Sequence, residues 1–305
     1  MKWLELSLQT PKEYVEPLST IFHRYGDGRL AVELAGGYNP DEGESEPDTE
    51  LATVRTYLKV DQTTTFRKKQ IQVAIELIRK LCQLSDLQER YMSGDEWLES
   101  WKSHFSVLRI GNIVICPTWE SYLARPSDLL IKLDPGMAFG TGHHPTTQMC
   151  LEQLGRLVSP GMKVLDVGTG SGILAMAAAK LGAAAVLGLD IDPAAVKIAK
   201  SNIRYNGLQH LVKVRGSHGT DFDISGNCYD LVVANLYSNV ILDIGNNLMT
   251  QVASGGHLII SGILSKRSLE IQQYFENLGC IMEAVHGDGD WAAFVIASNK
   301  SVDNA

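Results

Sequence analysis

Gly168, Gly170 and Gly172 fall at alternate positions in the segment VLDVGTGSGILAMAAAKLG. An apolar run precedes them and an alanine-rich run follows, so the segment reads as strand, glycine turn, helix. Glycine lets a backbone turn sharply and lets a ligand approach the chain closely. In a doubly wound fold such a turn lies at the carboxyl ends of the strands, where ligands bind. Asp190 closes the next apolar run, in LGLDIDP. A carboxylate there can accept both hydroxyls of a ribose. Together the two features predict a nucleoside ligand.

Spacing narrows that ligand. A dinucleotide loop requires G-x-G-x-x-G, and its third glycine would fall where this chain has Ile173. The phosphate-loop ending G-K-[ST] is absent. Asp166, two residues before the first glycine, repels a pyrophosphate and suits the cationic amino group of a methionine moiety. The loop thus points to S-adenosylmethionine rather than NAD.

Downstream, Asn235 ends another apolar run, in ANLYSN. Its side chain and a nearby backbone carbonyl can accept hydrogen bonds from an amine and aim its lone pair. Tyr237 offers a ring face to a cation. Capping of the following helix is a second use for Asn235, and the residues alone leave both open. Adjacent His143 and His144 make a poor metal pair, because neighbouring side chains on a loop rarely converge and no thiol or carboxylate is placed beside them. No metal is expected, and His144 is expected to order its loop.

These residues need a scaffold. From Lys163 onward strands are expected near 163–167, 185–190, 211–215, 229–234, 256–261, 280–286 and 290–296, with helices near 172–181, 193–206, 238–253 and 266–278. Such alternation predicts a mostly parallel seven-stranded α/β sheet, doubly wound, with helices on both faces. Only HGDGD links the last two strands, so they should form an antiparallel hairpin. Before this part, strands near 3–8, 29–34, 52–60 and 86–92 alternate with helices over 11–25 and 66–84. That β-α-β-β-α-β order predicts a small ferredoxin-like α+β domain. The expected division is residues 1–93 for this domain, 94–130 for a linker with Trp97 and Trp101 on one helix face, 131–298 for the doubly wound domain, and 299–305 for a frayed tail. Residues 41–50 hold six acidic side chains and are expected as a solvated loop, with docking of a basic partner as the alternative.

Composition agrees with two soluble domains: 305 residues, 45% apolar and 20% charged. It excludes wholesale disorder, collagen-like repeats and a disulfide scaffold. A net charge of −8 argues against gripping nucleic acid or an anionic membrane by charge. The cysteines at 82, 116, 150, 228 and 280 form no C-x-x-C pair, as in a reduced cytoplasmic protein. The start MKWLELSLQT, with Glu5 and no apolar run, is not expected to act as a signal peptide, and Lys180 interrupts the longest apolar stretch, Ile173 to Leu189.

The segment DPGMAFGTGHHPTTQMCLEQL at 134–154 resembles the hallmark of the bacterial ribosomal protein L11 methyltransferase family, PrmA. LDVGTGSGILA, GLDIDPAAV, VVANLYS, SGIL and GDWAAFV follow in the same order, and DEWLESWKSHF resembles the family's linker. The resemblance implies a class I methyltransferase domain behind a ferredoxin-like domain that docks the ribosomal protein. It implies trimethylation of that protein's N-terminal α-amine and lysine ε-amines from S-adenosylmethionine. Thr147, Gly168, Asp190 and Asn235 match the family's cofactor-binding positions. Gly170 shares their loop, and Phe139 with its surrounding loop would close over the cofactor's methionine end. Asn235, helped by the Leu236 carbonyl, is the expected catalytic residue. His143 stands where many members have Thr, and Thr169 where many have Cys. Methylation of lysines of another protein, or of a small-molecule amine, is the alternative use of the same domain. DNA-base methylation is disfavoured, since the NLYS stretch lacks tandem prolines.

Overall fold

The computed structural model describes residues 2–26, 30–34, 51–94, 96, 106–134, 142–217 and 228–298. The acidic segment 41–50, Trp97, Trp101, Phe139 and the tail 299–305 lie outside these residues. The chain divides into two compact units, Met1–Ser106 and Val107–Ala305. Among the described residues no helix is long and apolar enough to cross a membrane.

The first unit runs β1 (Lys2–Pro11), α1 (Val15–Tyr25), β2 (Leu30–Leu34), β3 (Leu51–Lys59), α2 (Thr64–Ile78) and β4 (Gln88–Ser93). Its sheet has the order β2-β3-β1-β4 with every neighbour antiparallel. Leu4, Leu6 and Leu8 of β1 are buried in one core with Leu18 and Phe22 of α1 and Ile71 and Ile75 of α2. Burying one such side chain contributes about 1.5–3 kcal/mol. The alternation at 3–8 predicts a half-buried strand, yet Trp3, Glu5 and Ser7 on the opposite face are buried too. Glu5 is tolerated there because Arg55 lies 3.0 Å away as its ion-pair partner. The second helix is expected to reach residue 84 but ends at Ile78. Arg79 donates to the Ser85 carbonyl at 2.8 Å and to Asp86 at 3.2 Å, which holds the chain in a turn.

The second unit opens with β5 (Leu108–Ile110), β6 (Ile113–Pro117) and β7 (Leu129–Leu133). They form a three-stranded sheet, antiparallel between β5 and β6 and parallel between β6 and β7. Strands β5 and β6 fall within 94–130, expected as a linker, and β7 crosses its end. The run IVICP is buried throughout, as a strand covered on both faces should be. Asp128 anchors the long return to β7, accepting from Arg109 at 3.0 Å, Tyr122 Oη at 2.8 Å and the Arg125 amide at 2.8 Å.

Next come α3 (Pro145–Leu157), β8 (Lys163–Val167), α4 (Ile173–Lys180), β9 (Ala185–Asp190), α5 (Pro193–Tyr205) and β10 (Val212–Gly216). The chain ends with β11 (Tyr229–Asn235), α6 (Ser238–Gln251), β12 (Val252–Leu264), α7 (Ser268–Asn277), β13 (Ile281–Asp288) and β14 (Trp291–Ala297). The seven strands take the order β10-β9-β8-β11-β12-β14-β13. Pairs from β10 to β12 are parallel, and β14 runs antiparallel to both β12 and β13. Side chains alternate between two cores. Val164, Leu231, Val233 and Ile259 join the apolar α4 in one, while Leu165, Val232, Ala234, Leu258 and Ile260 join Ile241 of α6 and Phe275 of α7 in the other. From β8 the chain builds outward to β9 and β10, then returns to place β11 on the opposite side of β8. That reversal opens a crevice at the carboxyl ends of β8 and β11.

Candidate functional site

The glycine turn leaves β8 at this crevice. Gly168, Gly170 and Gly172 have φ of 76°, 54° and 83°, a region closed to most residues with a Cβ. Amides of Gly168 and Thr169 donate to the Leu189 carbonyl at 2.8 and 2.9 Å. The Gly170 amide donates to Asp190 Oδ2 at 2.8 Å, and Asp190 Oδ1 accepts from the Asp192 amide at 2.9 Å. Asp190 therefore orders the loop as well as facing the crevice, and each oxygen keeps a further acceptor site. Ile191, next in sequence, is 72% exposed. An apolar side chain exposed beside a ribose-type carboxylate is a surface on which a purine can lie. No local pattern in the sequence marks it.

Asp166 corrects an expectation. It is fully buried, so it does not meet a ligand's amino group. Its Oδ2 instead accepts from the Thr169 hydroxyl at 2.6 Å and the Ala175 amide at 3.1 Å. Its Oδ1 has no hydrogen-bond partner among the described residues. Burial is the main cause that raises its pKa from 3.8 to about 7, with the Asp190 charge adding to it. A folded-state pKa above the unfolded one means that the native protein binds the extra proton between about pH 4 and 7. Stability from this group is therefore present below about pH 4 and falls as pH rises to about 7. A shift from 3.8 to about 7 amounts to about 4 kcal/mol at most. Asp166→Asn cannot ionise, so its Tm relative to wild type should climb between pH 4 and 8. Parallel Tm curves for the two proteins, without ligand, would contradict this.

Asn235 ends β11 on the other wall. Its Nδ2 donates to Thr146 Oγ1 at 3.2 Å and Thr147 Oγ1 at 3.3 Å. Both threonines are buried in the first turn of α3, so the structure brings Thr147 and Asn235 together. The capping alternative fails: α6 is capped by Tyr237, without a side-chain bond. Tyr237 is 55% exposed at the mouth of this segment. Leu236 is clamped between glycines. Its amide donates to the Ser261 carbonyl at 3.0 Å. A Cβ on Gly168 would lie 2.5 Å from Leu236 Cδ2, and one on Gly262 would lie 2.5 Å from the Leu236 carbonyl oxygen and 3.1 Å from Asn235 Oδ1. Two acceptor oxygens, Asn235 Oδ1 and the Leu236 carbonyl, thus converge beside the bare Cα of Gly262. Positioned acceptors of this kind hold an amine by its N–H groups.

His144 is the N-cap of α3. Its Nδ1 accepts from the Thr146 amide at 3.4 Å and lies 2.8 Å from Thr146 Oγ1. Pro145 follows in the first turn, where its missing N–H costs nothing. Burial pushes the His144 pKa down to about 4, so the ring is neutral at pH 7. Among the described residues no group of three His, Cys, Asp or Glu could hold a metal ion. A separate groove of about 380 Å³ between α5 and β10, lined by Lys200, Arg204, Lys213 and Arg215, includes none of these site residues.

Comparisons with known proteins bear on this geometry. A family model described as ribosomal protein L11 methyltransferase (PrmA) matches residues 2–299. A ribosomal protein L11 methyltransferase of Chloroflexus aurantiacus is 40% identical, with 96% of this chain and 97% of the relative covered. One from Herpetosiphon aurantiacus is 37% identical, covering 96% and 98%. Among solved structures, a ribosomal protein L11 methylase from Lactobacillus delbrueckii subsp. bulgaricus superposes with a TM-score of 0.59 at 32% identity. It covers 64% of this chain and 99% of its own.

Proposed function

The chain belongs to the ribosomal protein L11 methyltransferase (PrmA) family, and on that premise we propose that it transfers methyl groups from S-adenosylmethionine to ribosomal protein L11. The acceptors are lysine ε-amines and the N-terminal α-amine. The observation that carries this reading is the convergence of Asn235 Oδ1 and the Leu236 carbonyl at Gly262, with Leu236 packed against Gly168 of the glycine turn. The second unit is a class I methyltransferase domain. The first is a ferredoxin-like domain that recognises the substrate, and the enzyme is cytoplasmic.

The crevice fits the cofactor in three respects. Asp190 keeps acceptor capacity for ribose hydroxyls while ordering the turn. Ile191 supplies an apolar face for the adenine. Gly168 and Gly170 keep the turn free of side chains, and Thr147, beside Asn235, would meet the methionine end. S-adenosylmethionine supplies a methyl group already activated by its sulfonium charge.

What remains for the protein is orientation. A lysine amine, with an ordinary pKa near 10.4, has to lose a proton before it can attack. Burial beside a cationic centre lowers that value. Asn235 Oδ1 and the Leu236 carbonyl then accept the N–H groups of the neutral amine and aim its lone pair. His144, with its pKa near 4, stays neutral at pH 7, and the ammonium proton leaves to bulk solvent before attack.

The test is intact mass spectrometry of unmethylated L11 incubated with the protein and S-adenosylmethionine. Mass gains in whole methyl steps are expected. No gain, with cofactor binding confirmed by calorimetry, would move the substrate to another amine.

A further inference from the structure

One run of hydrogen bonds beside the crevice links His144, Thr146 and Asn235, and the Thr146 amide, 3.4 Å from His144 Nδ1, selects its direction. The Thr146 amide donates to His144 Nδ1, so Nδ1 is an acceptor and the neutral ring carries its proton on Nε2. Thr146 Oγ1 lies 2.8 Å from the same Nδ1, and with no proton on that nitrogen the hydroxyl has to donate. The Thr146 oxygen then offers only lone pairs to Asn235, 3.2 Å away. The carboxamide answers by turning its NH2 group toward Thr146 and its Oδ1 toward the Leu236 carbonyl and Gly262. Thr147 Oγ1, at 3.3 Å, also holds the amide, but its hydroxyl can rotate to serve either end.

Orientation matters because the two ends of a carboxamide are opposite in kind. With Oδ1 forward, Asn235 accepts from the substrate amine. With NH2 forward, it sets N–H against N–H and the lone pair loses its aim. Were Nδ1 not there to take the Thr146 proton, the hydroxyl could swing round and donate to Oδ1, and the flipped amide would cost nothing. The imidazole is itself held in place: its ring lies edge-on to Trp291 of β14, with centroids 5.0 Å apart.

We propose that His144, acting through the Thr146 hydroxyl, is a positioning residue that decides which end of the Asn235 carboxamide meets the substrate amine. This rests on the role given to Asn235 above. It assigns His144 a part in the reaction beyond capping α3, with neither proton transfer nor metal binding.

The experiment uses the full chain and compares Thr146→Val, Thr146→Ser, His144→Phe, the H144F/T146V pair and Asn235→Ala. Valine keeps the shape of threonine and removes the hydroxyl. Phenylalanine keeps a ring beside Trp291 and removes Nδ1. Each of T146V and H144F should lower kcat about 10- to 30-fold while the S-adenosylmethionine Kd, measured by calorimetry, changes less than about threefold. T146S should recover most of the lost turnover. The double variant should lose little more than T146V alone, because both changes break the same link. In the free wild-type protein, the ¹⁵N NMR shifts of the His144 ring should show Nε2 protonated and Nδ1 bare.

An Nδ1-protonated ring overturns the proposal without any activity measurement. So does multiplication of the two single losses in the double variant, or a fall in kcat matched by an equal loss of cofactor binding. Unchanged kcat in T146V beside an inactive N235A overturns the positioning role and leaves Asn235 standing. Unchanged kcat in N235A overturns the reading of Asn235 itself, and the positioning role falls with it.

Discussion

Replacing Asn235 with alanine is expected to lower kcat about 10²- to 10³-fold while S-adenosylmethionine affinity falls less than about fivefold. The size follows from what is removed. One of two fixed acceptors disappears from the place where the amine must be aimed, and loss of one preorganised polar group at a reacting centre typically costs that much. Misplacement of a reactant by about 1 Å costs a similar factor. The fold should tolerate the change, because Asn235 is only partly buried at the end of β11. The Thr146 and Thr147 hydroxyl oxygens lose only the NH2 donor, which a water in the vacated space can replace. Single-turnover methylation followed by mass, with calorimetry on the same preparation, separates the two effects. Equal losses in kcat and in cofactor affinity would make Asn235 a cofactor residue only.

The second large effect is expected at Gly262. Its φ of 82° already disfavours any L side chain. An alanine Cβ would sit 2.5 Å from the Leu236 carbonyl oxygen, 2.9 Å from its carbon and 3.1 Å from Asn235 Oδ1. None of these can move away cheaply. The Leu236 amide is bonded to Ser261, and the Asn235 amide is tied to two buried threonines. Gly262→Ala should therefore cost about 2–4 kcal/mol of stability, from local strain and the shifts needed to relieve it. It should also lower kcat by about 100-fold or more by driving both acceptors out of place. Gly207→Ala is the control. Its φ is 69°, yet a Cβ there meets nothing within 4 Å. Backbone strain alone predicts a loss of about 1–2 kcal/mol with unchanged kcat. A G262A protein that matched G207A in both measurements would show that Gly262 serves only the turn.

Much of this molecule is legible in its sequence. The alternation of apolar runs with helical patterns after Lys163 located seven strands and four helices, because periodicity is a property of neighbours in the chain. The glycine turn and Asp190 were equally local: φ near 54–83° selects glycine, and a carboxylate at a strand end is visible in sequence. The short strands β5 to β7 escaped because IVICP is apolar without alternation, which leaves no period to read. Helix α3 was hidden behind an unusual cap, histidine followed by proline, where serine, threonine, aspartate or asparagine is the familiar signal.

The sequence by itself determined the element order from Lys163 onward, the α/β class and the residue types that are candidates to meet a nucleoside and an amine. Only the tertiary structure decided which of them meet. Thr146 and Asn235 are 89 residues apart, and nothing local connects them. They touch because α3 packs on β11 and β12 at the end where Asn235 emerges. The same placement turned Asp166 from an expected ligand contact into a buried support for the turn, and made Gly262 a necessity. Local sequence specifies period, turn and cap. Strand order and packing, which depend on residues far apart in the chain, specify which polar groups satisfy one another and which are left facing the crevice.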